Sequence, residues 1–404
     1  MGGACVVASR ISMKGVFILG AVRTPIGRFG GALREFSAPD LGVIAAQAAI
    51  TRAGISCEEI DEVIFGHARQ AGNGPNAARQ IAVRVGIPHR VPAYTVNKAC
   101  GSGLKAIILG YQEIALGNAQ AVLVGGTEAM SRIPFFVEGA RWGARLGHQL
   151  LVDGMFQDGF MCPLAKMIMG ETAEVLAEKY GISREEQDAF AFASQQRAER
   201  AHEAGRFKDE IVPVKIQSRK GEELFERDEH PRPDTSLDSL ARLPPVFSKH
   251  GTITAGNSSG ITDGAAALVL VSEDRLKRAA QAPLARIGEY ATSGVDPRLM
   301  GIGPVPAIQK LLSKTGWGLG SYDLIELNEA FAAQVLACER EMHFDRVRLN
   351  VNGGAIALGH PIGCTGARIV VTLVHEMLKR GARRGLATLC VSGGMGMALD
   401  LEGV

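Results

Sequence analysis

A layered α/β fold built from two duplicated halves is what this sequence predicts, and three observations predict it. Short apolar runs of strand length alternate with helical segments from Val16 to Gly126, and the alternation starts again near Asp323. Segments of the two stretches match in order and spacing: Asp61–Phe65 with Asp323–Leu327, Val96-Asn97 with Val351-Asn352, and Val122–Gly126 with Leu389–Gly394. A repeat of so long a period is a duplicated domain rather than a solenoid. Third, the stretch from Ser131 to Phe247 is polar and irregular, so it reads as an excursion inserted in the first copy.

The elements follow in order. Val16–Gly20 is a short buried strand, and Arg23-Thr24-Pro25-Ile26-Gly27 closes it. A helix runs from Ala38-Pro39-Asp40 to Ala53, with Pro39 suited to its first turn and Gly54 to its stop. Asp61–Gly66 is a strand, Asn76–Val85 a helix, and Tyr94-Thr95-Val96 a strand. A helix over Gly103–Leu116 carries Leu104, Ile107, Ile108 and Ile114 at helical spacing. Ala121–Gly126 is the next strand. The excursion holds helices at Gly170–Tyr180 and Ser183–Ala204, the second opened by a capping box, Ser183-Arg184-Glu185-Glu186. Its patches Ile133–Phe136 and Trp142 are either local core or contacts between subunits. Ala265–Val271 is a strand of the first half. In the second half Asp323–Leu327 is a strand, Asn328–Ala332 opens a helix, Ala367–Arg380 is a helix, and Ala387–Val391 is the last core strand. The expected divisions are an N-terminal extension at 1–12, the first half at 13–130 and 248–273, the excursion at 131–247, and the second half at 274–404.

Composition excludes several functions. The 404 residues carry 44 basic and 42 acidic side chains, a net charge of +2, so no field argues for nucleic acid or a membrane surface. No apolar run reaches the ~18 residues of a membrane helix. Seven scattered cysteines argue against a disulfide framework and for a reducing, cytoplasmic setting. No C-x-x-C or H-x-x-x-H spacing suggests a metal.

Duplicated halves packed face to face place equivalent loops on a shared cleft. Cys100 lies in Val96-Asn97-Lys98-Ala99-Cys100-Gly101-Ser102-Gly103, at the foot of a helix of the first half; His360 lies in the corresponding turn of the second. A thiol at a helix N-terminus faces unpaired N–H groups, which lower a pKa of about 8.5. Gly101 and Gly103 would let a substrate approach the backbone. A thiolate nucleophile needs a base, and histidine suits near neutral pH. Acyl transfer builds charge on a carbonyl oxygen, which N–H groups at Cys100 and after Cys390 can receive. A second cysteine, Cys390, makes sense if a carbon acid must gain or lose a proton. Asn328 can position a water. The bland alternatives are an inert buried cysteine at 100 or 390, a turn-capping His360, and an N-cap at Asn328.

From Val16 to Leu401 the chain resembles the thiolase family. The Cys100 stretch is similar to that family's nucleophile motif. Asn328-Glu329-Ala330-Phe331-Ala332 resembles its N-E-A-F box, and Asn352-Gly353-Gly354-Ala355-Ile356-Ala357-Leu358-Gly359-His360-Pro361 its histidine signature. Cys390 with Gly393-Gly394-Met395-Gly396 resembles its C-terminal cysteine motif. The resemblance implies two βαβαβαββ-type halves in an α/β/α layering with an inserted loop domain. It implies Cys100 as acyl acceptor, His360 as its base, Cys390 as the acid/base for the α-proton of acetyl-CoA, and Asn328 as holder of an oxyanion-hole water. It also implies a coenzyme A site at Arg232, Ser239, Leu243, Phe247, Ala255 and Ser259, and an acyl pocket at Ile168, Met169 and Phe331. CoA and acyl-CoA are then substrates, no cofactor or metal is permanently bound, and the assembly is a homodimer or homotetramer.

Two positions depart from the family's pattern. Ser392 stands where the cysteine motif usually has the first of three glycines, and its backbone N–H can still serve an oxyanion. Ile168 precedes Met169-Gly170, where short-chain members often carry histidine. With Asp228–Arg232, Leu243–Phe247 and Gly301–Pro306, it points to the broader 3-ketoacyl-CoA thiolases, with an acetoacetyl-CoA-specific enzyme as the alternative. A condensing synthase of the same shape would carry histidine or asparagine in place of Cys390. A non-catalytic acyl-binding relative would have no need of all four reactive positions.

Overall fold

Strands rich in Val, Ile and Leu, closed by glycine or proline, pair here into one twisted sheet. The computed structural model describes residues 15–218 and 221–404; the expected extension at 1–12 lies outside them. In the first half the strands are β1 (Val16–Arg23), β2 (Glu62–Gly66), β3 (Ala93–Val96), β4 (Ala121–Ala129) and β5 (Thr262–Ser272). In the second they are β6 (Ala285–Gly294), β7 (Leu324–Leu327), β8 (Arg384–Val391) and β9 (Met395–Glu402). Their spatial order is β7-β8-β9-β6-β1-β5-β4-β2-β3. Reading outward from the β1–β6 junction, the two halves repeat each other. β5 and β9 come next, then β4 and β8, then β2 and β7, with antiparallel inner pairs and parallel outer pairs. The partner of β3 is reduced to a single parallel bridge between Ile325 and Leu349.

Two long strands of the central sheet were not read from the sequence. β6 carries only scattered apolar residues, and β9 begins inside the glycine run after Cys390. Ala387–Val391 is therefore not the last core strand: β9 returns antiparallel, pairing Cys390 with Gly396.

The longer helices are α1 (Ala38–Ala53), α2 (Ala77–Arg84), α3 (Ser102–Ala115), α4 (Met169–Tyr180), α5 (Arg184–Glu203), α6 (Pro304–Thr315), α7 (Ala332–Met342) and α8 (Ile362–Arg380). Strand side chains alternate between faces, and that alternation makes the layers. Ala121 and Leu123 face α1 and α2, packing with Leu41, Ala45 and Ile81. Val122 and Val124 face the middle, where Leu104, Ile107 and Ile108 of α3 and Ile369 and Val370 of α8 meet Leu389 and Leu399 of the second half. α6 and α7 cover the outer face of that half, with Ile308 and Leu336 near Leu386 and Ala398. Each half is thus an α/β/α unit, and the two share the middle helices. Each such side chain contributes about 1.5–3 kcal/mol on burial, so this shared core is what joins the halves.

The excursion is tied down by charge. Arg23, fully buried, pairs with Glu210 at 2.5 Å and with Asp228 at 2.7 Å. Burial opposes ionisation of Asp228, but Arg23 and His202 hold it below the usual carboxylate range. The proline-punctuated loop after Asp228 is anchored there. The Ser183 capping box forms, Glu186 accepting from the Ser183 N–H at 2.8 Å. The two aromatic patches divide: Phe135 is 60% and Trp142 84% exposed, whereas Ile133 is half-buried and packs locally against Met130 and Met155. Among the described residues no helix is long and apolar enough to cross a membrane.

Candidate active site

Glycine decides how the two halves meet. A Cβ on Gly103 would lie 2.6 Å from the backbone N of Ala367, and one on Gly366 would lie 2.3 Å from that of Leu104. Neither leaves room for a side chain, so α3 and α8 cross at backbone contact only because both are glycine. Gly101 is pressed the same way against Met397 and Val391. Gly101 and Gly103 therefore admit the second half of the protein rather than a substrate, and the crossing brings Cys100 against the turn that carries His360 and the end of β8 that carries Cys390.

The three residues line one cavity of about 720 Å³. Cys100 sits two residues before α3, after Ala99 in a left-handed turn at φ 45°. Burial pushes its thiol up; Arg69 and the backbone N–H of Ser392 pull the other way without prevailing. The expectation of a lowered pKa is corrected, because the second half desolvates the sulfur more than the helix terminus favours its charge. Ser392 lines the cavity beside Cys100, so the departure from glycine there still leaves a backbone N–H at the site.

His360 is buried and held neutral. Burial, with Arg368 and Arg69 nearby, lowers its pKa to about 3. Its Nδ1 lies 2.6 Å from Oγ1 of Thr365, and its backbone N–H donates to Gly260 at 3.1 Å. Its Nε2 is buried without a hydrogen-bond partner among the described residues. The turn is braced by Glu128, which accepts from the N–H groups of Gly363, Ala68 and Arg69 at 2.8–3.1 Å. Cys390, 1% exposed at the end of β8, has its thiol raised well above the ordinary value by burial and by neighbouring Cys100. It stays protonated and can act as an acid.

Asn328 does not line the cavity; Ala330 and Phe331, just after it, do. Its backbone N–H donates to Thr388, and both polar atoms of its fully buried side chain lack partners among the described residues. α7 starts only at Ala332, so Asn328 is not an N-cap. An amide with a free donor and a free acceptor suits a held water. The neighbouring Glu329 is occupied, receiving Ser194, Asn350 and the Ile356 N–H.

Ile168, Met169 and Phe331 all line the cavity, as do Arg232, Phe247, Ala255 and Ser259. Phe247 and Phe331 meet edge to face at 6.1 Å, closing one wall. Ser239 and Leu243 lie instead in an adjoining groove of about 210 Å³ that shares Arg232, Ala255 and His230 with the cavity. The Ser239 hydroxyl is engaged at a helix start, donating to the Ser236 carbonyl at 2.8 Å. Arg232 is exposed and has no ion pair among the described residues, which leaves its guanidinium open to an anion. The sequence reading missed His230, Arg69, Phe160 and Met300. His230 was legible within Asp228–Asp234 as a histidine beside Arg232; the others reach the cavity from distant segments and carried no local signal.

The protein matches the family models described as Thiolase, N-terminal domain, over residues 16–274, and Thiolase, C-terminal domain, over residues 281–403. It is 53% identical over 390 residues to the acetyl-CoA acetyltransferase of Pseudomonas aeruginosa, covering 96% of this chain and 99% of that one. It is 52% identical over 390 residues to a probable acetyl-CoA acetyltransferase of Escherichia coli, again covering 96% and 99%. Among solved structures it is similar to the Bacillus anthracis acetyl-CoA acetyltransferase (TM-score 0.95, 49% identity, 97% of this chain and 100% of that one). It is also similar to human mitochondrial 3-ketoacyl-CoA thiolase in complex with CoA (TM-score 0.94, 46% identity, 97% and 99%).

Proposed function

This chain belongs to the thiolase family and is an acyltransferase, and from that premise we propose that it cleaves 3-ketoacyl-CoA with CoA, reversibly, through an acyl group carried on Cys100. The observation that carries the reading is the convergence of Cys100, His360 and Cys390 on one cavity. Cys100 Sγ attacks the 3-keto carbon while its proton passes to Nε2 of the neutral His360. The bond between Cα and Cβ breaks. The electron pair leaves on the acetyl-CoA carbon, and the Cys390 thiol protonates it. CoA then attacks the thioester, its thiol proton restoring Cys390, and Cys100 departs and recovers its proton from His360. N–H donors at Cys100 and Ser392, and a water held by Asn328, receive the developing oxyanions. Arg232 meets a CoA phosphate, and Ser239, Leu243, Phe247, Ala255 and Ser259 flank the pantetheine and adenine. Six unpaired cysteines among the described residues suit a cytoplasmic setting.

The wall of Ile168, Met169, Phe160, Met300, Phe247 and Phe331 favours acyl chains longer than two carbons. An apolar wall rewards each buried methylene by roughly 0.8 kcal/mol, about fourfold per carbon. Thiolysis of four-, six- and eight-carbon 3-ketoacyl-CoAs tests both the reaction and its range. We expect 3-ketohexanoyl-CoA to be used at least as well as acetoacetyl-CoA by kcat/KM. The alternative is a narrower, acetoacetyl-CoA-specific enzyme. A steep fall from four to six carbons selects it, and no thiolysis of any of the three rejects both readings.

The working assembly is a homodimer or homotetramer. The support is a run of exposed apolar side chains in the excursion, including Phe135, Trp142, Leu146 and Leu150, the kind of surface that marks a protein–protein contact. Light scattering is expected to give at least twice the mass of one chain; a single-chain mass at working concentration overturns this.

A further inference from the structure

We propose that Thr365 is the positioning residue that fixes the tautomer of His360, keeping the proton on Nδ1 so that Nε2 is left as an acceptor. This rests on the reading above that His360 takes the Cys100 proton. Thr365 lies in the first turn of α8 and is fully buried. Its hydroxyl has one proton and two lone pairs. The Oγ1 atom is 3.0 Å from the carbonyl of Pro361, four residues earlier, the usual acceptor for a threonine hydroxyl in a helix. With its proton given there, Oγ1 can only accept at the 2.6 Å contact with His360, so Nδ1 must be the donor.

One proton location then serves the whole reaction. The neutral ring has Nδ1–H and a free Nε2; the imidazolium formed when Cys100 loses its proton keeps Nδ1–H on the same oxygen. Thr365 neither turns nor exchanges a proton, and the imidazole is not free to rotate while it waits. A hydroxyl turned the other way, donating to Nδ1, would put the proton on Nε2 and leave His360 unable to accept one from Cys100.

Two substitutions separate the hydroxyl from the space it fills. Thr365→Val keeps the branched shape and removes the acceptor; Thr365→Ser keeps the acceptor. Nitrogen-15 NMR of histidine-labelled protein, with His360 assigned by its loss in His360→Asn, reads the tautomer directly. We expect a protonated Nδ1 in the wild type and in Thr365→Ser, and loss of that preference in Thr365→Val. The acetylation rate of Cys100 by acetyl-CoA should fall roughly 10²-fold in Thr365→Val, at unchanged KM, and return in Thr365→Ser. A wild-type His360 protonated on Nε2 overturns the proposal, and that spectrum decides even if Thr365→Val does not fold. So does a Thr365→Ser as slow as Thr365→Val, which would assign the effect to packing. If the wild type accepts no acetyl group at all, the thiolase reading of the site fails, while the spectrum still decides the tautomer.

Discussion

Cys100→Ser is expected to abolish the acyl-enzyme and to lower thiolysis by roughly 10³-fold or more while leaving the protein folded. The exchange of sulfur for oxygen is small, and Cys100 is not part of the tightly filled glycine contact at Gly101 and Gly103. What is lost is nucleophilicity. His360, held neutral by burial, is too weak a base to activate an alcohol well, whereas a thiol is both far more acidic than an alcohol and the better nucleophile. Because burial also pushes the Cys100 thiol up, the resting pair is thiol and imidazole rather than thiolate and imidazolium. The attacking proton therefore moves during the attack, and serine cannot follow. Intact mass after incubation with acetyl-CoA decides it. The wild type gains an acetyl group that CoA removes; the variant gains none. An adduct that persists on Cys100→Ser would move the nucleophile elsewhere in the cavity.

What the sequence made legible divides along a physical line. Local signals survived: the apolar strands, the spacing of Leu104, Ile107 and Ile108, and the capping box at Ser183 all lie where their neighbours in the chain dictate. The duplication was legible because matched strands must pair in matched order, and the sheet repeats outward from β1 and β6. Burial was not legible. The helix terminus at Cys100 argued for a lowered pKa, and only the crossing of α3 with α8 reverses it, since that crossing depends on Gly366 and Leu104 meeting from opposite ends of the chain. β9 was hidden for a related reason. Its first residues are glycine and methionine, without a strand signature, and pairing with both β6 and β8 supplies what propensity does not. The site's walls show the same division. Phe331 sits within a recognisable motif, whereas Phe160 and Met300 reach the cavity from the excursion and from a short 3-10 helix, Pro297–Ile302, with no pattern to announce them.

Cys390→Ala should separate the two half-reactions. Cys390 is 1% exposed, and its thiol is raised well above the ordinary value by burial and by Cys100, so it carries its proton at neutral pH. That is the state needed to protonate the carbanion of departing acetyl-CoA, and in reverse its thiolate would remove the α-proton. Alanine removes the acid and leaves a space of one sulfur atom between β8 and the core at Leu386 and Ala398, a change the packed strand can hold. Acyl transfer from acetyl-CoA to Cys100 involves no α-proton and should persist with Cys100, His360 and the Ser392 N–H still in place. Exchange of the acetyl-CoA methyl protons with deuterium should fall by ~10²–10⁴-fold, the usual scale for losing a general acid–base, and thiolysis of 3-ketoacyl-CoA should fall with it. Deuterium wash-in followed by NMR, beside the intact mass of the acetylated variant, distinguishes the steps. Undiminished exchange in Cys390→Ala would give the α-proton to another group. Two histidines, His360 and His230, remain in the cavity; if His360 served both the nucleophile and the carbon acid, its substitution would abolish acylation and exchange together, whereas loss of exchange alone on substituting His230 would assign the α-proton there.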